Sequence, residues 1–142
     1  MNAETLKKKV QVVVIAESGL LLFEFNNQIP NNYVGFQNIT GAVEGDESFI
    51  EAAIRELDEE AGVNSTVIDI NKEFTFFDRW KKNCLEKVYL CYLAKKPSIT
   101  LNEEHLFYKW VPIEDVKASD YTFPTNFEAF LAAKKYVIEN KL

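Results

Sequence analysis

An α/β architecture is predicted from three features of this 142-residue chain. Two apolar runs, Val10–Phe25 and Lys87–Lys95, are rich in β-formers. A stretch of strong helix formers from Ala52 to Ala61 stops at Gly62, and a second helical period covers Asn126–Lys141. Strands mixed with two principal helices suggest an α/β/α arrangement.

In chain order, Val10–Phe25 reads as a hairpin with Ser18-Gly19 as its turn, and its near-continuous apolar runs suggest strands covered on both faces. Asn26–Tyr33 reads as a loop, with Asn-Asn twice and Pro30, and Gly35–Thr40 as a short strand. Asp46 is placed to cap the first helix, with Glu47 and Glu51 in the electropositive first turns. Ile50, Ile54, Leu57 and Ala61 fall on one stripe at 100° per residue, and Gly62 suits a left-handed stop. Thr66–Asp78 alternates in part, as a strand does. Arg79–Asn83 is a polar turn carrying positive charge, and the strong strand at Lys87–Lys95 is broken by Pro97-Ser98. A polar Leu101–His105 precedes a short strand over 107–111, and Pro112–Ala118 has Pro at the first turn of a brief helix. In the last helix Phe127, Phe130, Leu131 and Val137 recur near helical spacing. With no repeat, low-complexity tract or linker, residues 1–142 read as one domain.

Composition narrows the function classes. A hydrophobic fraction of 47% and a charged fraction of 27% are ordinary for a soluble globular protein, and a formal charge of −6 argues against general nucleic-acid binding. Cys84 and Cys91 form no CxxC pair, and with a single His the chain offers no zinc spacing. Cys91, in an apolar alternating stretch, reads as a small buried hydrophobe. The N-terminus has no apolar signal core and no stretch is long enough to span a membrane, so a cytoplasmic protein is expected. The oligomeric state is left open, a dimer included.

The stretch Gly41–Val63 carries the chemistry. Glu56, Glu59 and Glu60 are related by three and four positions and share a helix face, with Arg55 four before Glu59. Three like charges repel, so the face is either simply solvated or built for a hard divalent cation, which takes oxygen ligands. The loop before the helix, the Arg within the cluster and the terminal Gly favour the cation.

Nine positions in fixed register then match one pattern: Gly41, Glu47, Arg55, Glu56, Leu57, Glu59, Glu60, Gly62 and Val63. The stretch resembles the Nudix box, G-x5-E-x7-R-E-U-x-E-E-x-G-U with U aliphatic. The resemblance implies the Nudix fold, a central mixed β-sheet between helices with the box as loop–helix–loop. It implies a pyrophosphohydrolase using Mg²⁺ or Mn²⁺. It makes Glu56, Glu59, Glu60 and the Gly41 carbonyl the metal ligands, with Glu56 or Glu59 as candidate catalytic groups. Glu47 becomes a weaker contributor, and Arg55 the group that orients the carboxylates.

Outside the box, Asn38–Glu44 and Glu104–Trp110 are similar to the dihydroneopterin triphosphate pyrophosphohydrolase branch, near the MutT-like dATP pyrophosphohydrolases, as is Thr125-Asn126. This implies Glu104 as a further ligand or water activator, beside the reading of Glu103–His105 as an exposed polar loop. Thr40 either binds substrate or shapes its loop. Tyr108 and Trp110 read as core. Many relatives carry arginines after the second strand, where this chain has Phe23-Glu24-Phe25-Asn26-Asn27. Phosphate contacts then fall to Lys7–Lys9, Arg79, Lys81 or Lys82. Phe74, Phe76, Phe77 and Trp80 are either core or a stacking face. The expected reaction is water attack on a pterin or nucleoside triphosphate, giving a monophosphate and pyrophosphate. The alternatives are oxidised dNTPs, dinucleoside polyphosphates or nucleotide sugars as substrates, and, from another class, a non-catalytic nucleotide-sensing module.

Overall fold

The computed structural model describes residues 6–25, 35–78, 80–103 and 105–142. The expected loop at Asn26–Tyr33 lies outside them. In chain order come β1 (Lys7–Ala16), β2 (Gly19–Phe25), β3 (Phe36–Gln37), β4 (Ile39–Ala42), α1 (Phe49–Ala61), β5 (Ile68–Phe77), β6 (Asn83–Leu93), β7 (His105–Pro112) and α2 (Pro124–Glu139). Two 3₁₀ turns, Ile113–Asp115 and Ala118–Asp120, stand where a brief helix was expected at Pro112–Ala118.

Among the described residues seven strands form one mixed sheet in which β1 is central. Along one edge β1 runs parallel to β6, from Lys7↔Cys84 to Ala16↔Leu93. Its other edge is shared: the C-terminal end turns back on β2, and the N-terminal half pairs with β4, Val10 opposite Gly41. β2 carries β7 and β3, and β5 closes the far side against β6.

Alternation along β1 sends Val10, Val12 and Val14 to a core under α1, and Val13 and Ile15 to a core under α2. β2 divides likewise, Leu21 and Phe23 to one side and Leu20 and Leu22 to the other. This explains the unbroken apolar runs: each strand is buried on both faces. Tyr108 and Trp110 pack against the α1-side core, as expected. Both cysteines are buried and free, Cys91 within that same core. Among the described residues no helix is long and apolar enough to cross a membrane.

Three local expectations are corrected. The hairpin turn is Glu17-Ser18, not Ser18-Gly19: both residues have positive φ (50° and 62°), the geometry of a two-residue turn that matches strand twist, and Gly19 already pairs with Ala16. The N-cap of α1 is Ser48, not Asp46. Its hydroxyl accepts from Glu51 N at 3.2 Å, while the Glu51 carboxylate accepts from Ser48 N at 2.9 Å. The apolar stripe is also wider than expected and loses one member: Leu57 and Ala61 are buried and Ile54 packs on the same core, but Ile50 is 40% exposed, and Ala52, Ala53, Glu56 and Glu60 are buried as well. Likewise Leu131 of α2 is exposed, and α2 is anchored by Ala129, Phe130, Ala133 and Val137. Gly62 does hold the left-handed cap, at φ 70°.

On the α2 side of the sheet a buried polar chain joins four residues distant in sequence. Tyr121 Oη donates to Asn38 Oδ1 (2.7 Å), Asn38 Nδ2 to Gln11 Oε1 (2.6 Å), and Gln11 Nε2 to Glu86 Oε1 (2.9 Å). Asn126 ties α2 to the same point, accepting from Asn38 N at 2.8 Å.

Candidate active site

The site forms where α1 crosses β4. Gly41 lies opposite Val10 and faces the helix, and the Glu56 carboxylate rests directly against its α-carbon. A β-carbon at this position would coincide with that carboxylate. Glycine is therefore needed here to let a strand and an acid approach, not for an unusual backbone angle.

Arg55 organises the surrounding acids. Its guanidinium makes five hydrogen bonds, matching its five N–H groups: two to Glu47, one each to Glu56 (3.1 Å), Glu59 (3.2 Å) and the carbonyl of Ala42 (2.8 Å). The forked pair with Glu47 raises the Arg55 pKa further, and that same bond, with Glu44 N, holds the Glu47 carboxyl below its usual range. With both oxygens so engaged, Glu47 acts as the clamp on Arg55.

The three remaining acids differ in exposure. The Glu59 side chain is half exposed, Glu56 is nearly buried, and Glu60 is 1% exposed. The face that the spacing defines is thus turned partly into the protein. Glu60 meets His105, whose Nε2 stands 3.7 Å from Glu60 Oε1 and 2.9 Å from Gln37 Nε2. The imidazole is buried and lies on Phe23, ring centroids 4.9 Å apart. Burial lowers its pKa to about 4, so it is neutral at neutral pH. His105 is therefore no part of an exposed loop. Gln37, its partner, has no signal in local spacing, because the pair is 68 residues apart.

The site residues expected from the sequence thus separate. Gly41, Arg55, Glu56 and Glu59 come together, and Glu60, on the same helix, is buried beside His105. Thr40 does not join them: it pairs with Gln11, and strand alternation sends it to the opposite face from Gly41. Arg79 and Glu104 lie outside the described residues. Lys7 is committed to Asp78 at 3.5 Å and lies over Trp80, in a cleft of about 480 Å³ with Leu6 and Lys82. The four aromatics do not form one stacking face. Phe74 packs on the α2-side core, Phe76 lies half-buried beneath Lys9, and Phe77 and Trp80 are exposed.

The donors suit a hard cation: carboxylates on one helix face, one of them seated against the backbone of Gly41, which has no side chain to keep it away. Among the described residues no three acidic, His or Cys side chains converge on one point, and Arg55 Nη1 bridges Glu56 and Glu59.

The NUDIX domain family model matches residues 5–131. The chain belongs to the Nudix family. It is a hydrolase of pyrophosphate bonds, and its mixed sheet between two helices is the Nudix fold. It is 33% identical over 100 residues to the asymmetrical bis(5'-nucleosyl)-tetraphosphatase of Caenorhabditis elegans, covering 65% of this chain and 72% of that one. The crystal structure of a MutT protein from Methanosarcina mazei Go1 superposes with a TM-score of 0.75 at 25% identity, covering 100% of both chains. The dihydroneopterin triphosphate pyrophosphohydrolase of E. coli superposes with a TM-score of 0.76 at 23% identity, over 96% of this chain and 99% of that one, a likeness of fold.

Proposed function

We propose that this Nudix hydrolase cleaves a phosphoanhydride of a dinucleoside polyphosphate, by attack of water on phosphorus, with Glu56, Glu59, Glu60 and the Gly41 carbonyl holding Mg²⁺ or Mn²⁺. The observation that carries the chemistry is the Glu56 carboxylate seated on Gly41 while Arg55 holds it and Glu59. When bound, the cation neutralises phosphate charge and lowers the pKa of a water. The chain's own part is to fix the acids. Arg55, clamped by Glu47 and the Ala42 carbonyl, sets the rotamers of Glu56 and Glu59. Glu104 remains the candidate for a further ligand or water activator, Thr40 for a contact on the other sheet face, and Arg79 for a phosphate contact.

Identity to an asymmetrical tetraphosphatase supports the dinucleoside substrate. A pterin triphosphate is the second reading, favoured by the downstream Glu104–Trp110 segment. There His105 is buried and Tyr108 and Trp110 pack on core, so those three residues serve the scaffold whatever the substrate. The test is a Mg²⁺-dependent panel of diadenosine tetraphosphate, dihydroneopterin triphosphate, dNTPs, 8-oxo-dGTP, ADP-ribose and a nucleotide sugar, with products resolved by chromatography. The expected result is a kcat/KM for the dinucleotide about tenfold or more above the others, worth about 1.4 kcal/mol of transition-state preference. A preference for the pterin, releasing pyrophosphate, would overturn the substrate. Full turnover in Glu59→Gln would overturn the metal assignment.

A further inference from the structure

We propose that the cleft beside Trp80, at the end of the sheet, is the subsite for the second nucleoside of the dinucleoside polyphosphate. The inference rests on the dinucleotide reading above and says where the part of the substrate remote from the cleaved bond is held. The cleft, of about 480 Å³, is lined by Leu6, Lys7, Asp78, Trp80 and Lys82, a size that suits a small organic ligand. Trp80 is 60% exposed, and the turn that carries it is tightly bonded. Asp78 Oδ1 accepts from Trp80 N and Lys82 N, each at 2.9 Å, and the backbone closes through Asp78 N to Lys82 O at 3.0 Å and Lys81 N to Asp78 O at 2.9 Å. The Lys7 ammonium stands 5.1 Å over the indole and 3.5 Å from Asp78 Oδ2, so the one acid of the cleft is matched by its own wall, and the exposed Lys82 adds a further positive charge. An indole fixed in this way stacks on a base of any identity and loses little freedom in doing so.

The position of the cleft fits a substrate with two ends. Val10 pairs with Gly41, and Lys7 lies three residues before Val10, about 10 Å along the strand, the reach of a short polyphosphate. Lys8 O accepts from Val43 N at 2.9 Å, so the loop that leaves Gly41 stays beside this end of β1. Asp78–Lys82 is the turn beyond the last β5–β6 pair, Phe77 with Asn83, which puts the cleft at the end of the sheet. Strand alternation sends Lys8 to the face of Val10, under α1. There Lys8 and Lys87 converge on Phe49, the first residue of α1, with their ammonium groups 5.9 and 4.9 Å from its ring. Phosphates running from Glu56 toward Trp80 pass these two cations. In a chain of formal charge −6 this is the complement that a polyanion needs. A mononucleotide bound at the acids leaves the cleft empty, so the cleft selects for a second nucleoside.

The experiment compares diadenosine tetraphosphate with adenosine tetraphosphate, which has the same phosphates and one adenosine fewer. The ratio of their kcat/KM values should fall about tenfold in Trp80→Ala, through KM for the dinucleotide, and recover for the most part in Trp80→Phe, as loss and return of a stacking partner require. An unchanged ratio in Trp80→Ala, with the dinucleotide still turned over, would overturn this inference alone. No turnover of the dinucleotide by the unmodified protein would overturn the substrate reading beneath it. Binding gives a second readout. The chain has two tryptophans, and Trp110 packs on the core, so a ligand in the cleft quenches the fluorescence of Trp80. A methylene-bridged analogue of the dinucleotide should quench the wild-type protein and lose that effect in Trp80→Phe. Equal quenching of the two proteins would overturn the inference.

Discussion

The α-carbon of Gly41 and the carboxylate of Glu56 occupy adjoining space with no room for a methyl group between them. Gly41→Ala should therefore displace the carboxylate by an ångström or more, while the rest of β4 keeps its pairing with β1. We expect kcat to fall by about 100-fold, the usual consequence of misplacing a reacting group on that scale, with little change in thermal stability. Steady-state kinetics beside a thermal melt checks this. Glu86 poses the opposite case, a buried acid on the other face of the sheet from Glu56. Burial raises its pKa above 4.5, and the nearby Lys9 and the Gln11 hydrogen bond offset that only in part. The folded protein thus keeps this proton to higher pH than the unfolded chain. Stability from this group is fully present below about pH 4.5 and is lost as pH rises through the folded pKa. Glu86→Gln retains an acceptor for Gln11 without the charge. It should melt a few degrees above wild type at pH 7 and converge with it near pH 4. A difference independent of pH would show that charge is not the cause.

At the scale of the element, α1 is where sequence and structure can be compared most closely. The Ser48–Glu51 reciprocal bonds satisfy two donors at the helix start. Ser48→Ala should cost about 1 kcal/mol and lower Tm by about 4 °C, with kcat unchanged, since Arg55 to Glu60 lie in later turns. Denaturation and activity measured together test both halves. The Ser-x-x-Glu spacing was legible in the chain; Asp46, another good capping residue two positions earlier, has Phe49 three positions on and offers no return bond. The box register, the Arg55–Glu59 pair and the Gly62 stop were legible too, because each depends on residues within one or two turns. The buried side of the helix was legible only in part. Hydrophobic periodicity finds Ile54, Leu57 and Ala61, but it also selects the exposed Ile50 and gives no sign that Glu56 and Glu60 are buried, Glu56 in the space left by Gly41.

For the molecule as a whole, the two covered faces of the sheet could be read from the unbroken apolar runs of β1 and β2. Strand order could not. Periodicity says nothing about partners, and neither the split edge of β1 nor its parallel seam with β6 has a local signature. For the same reason Gln37 escaped notice: its meeting with His105 depends on β3 and β7 both lying on β2. That parallel seam also has a consequence for how the chain is made. Gln11 bonds to Glu86, 75 positions further along the chain, so the first strand to leave the ribosome waits for one of the last. At about 5–20 residues per second the wait lasts several seconds. Through that interval an apolar strand edge stands open to any passing chain. The central strand of the finished protein is thus the most vulnerable part of the nascent one.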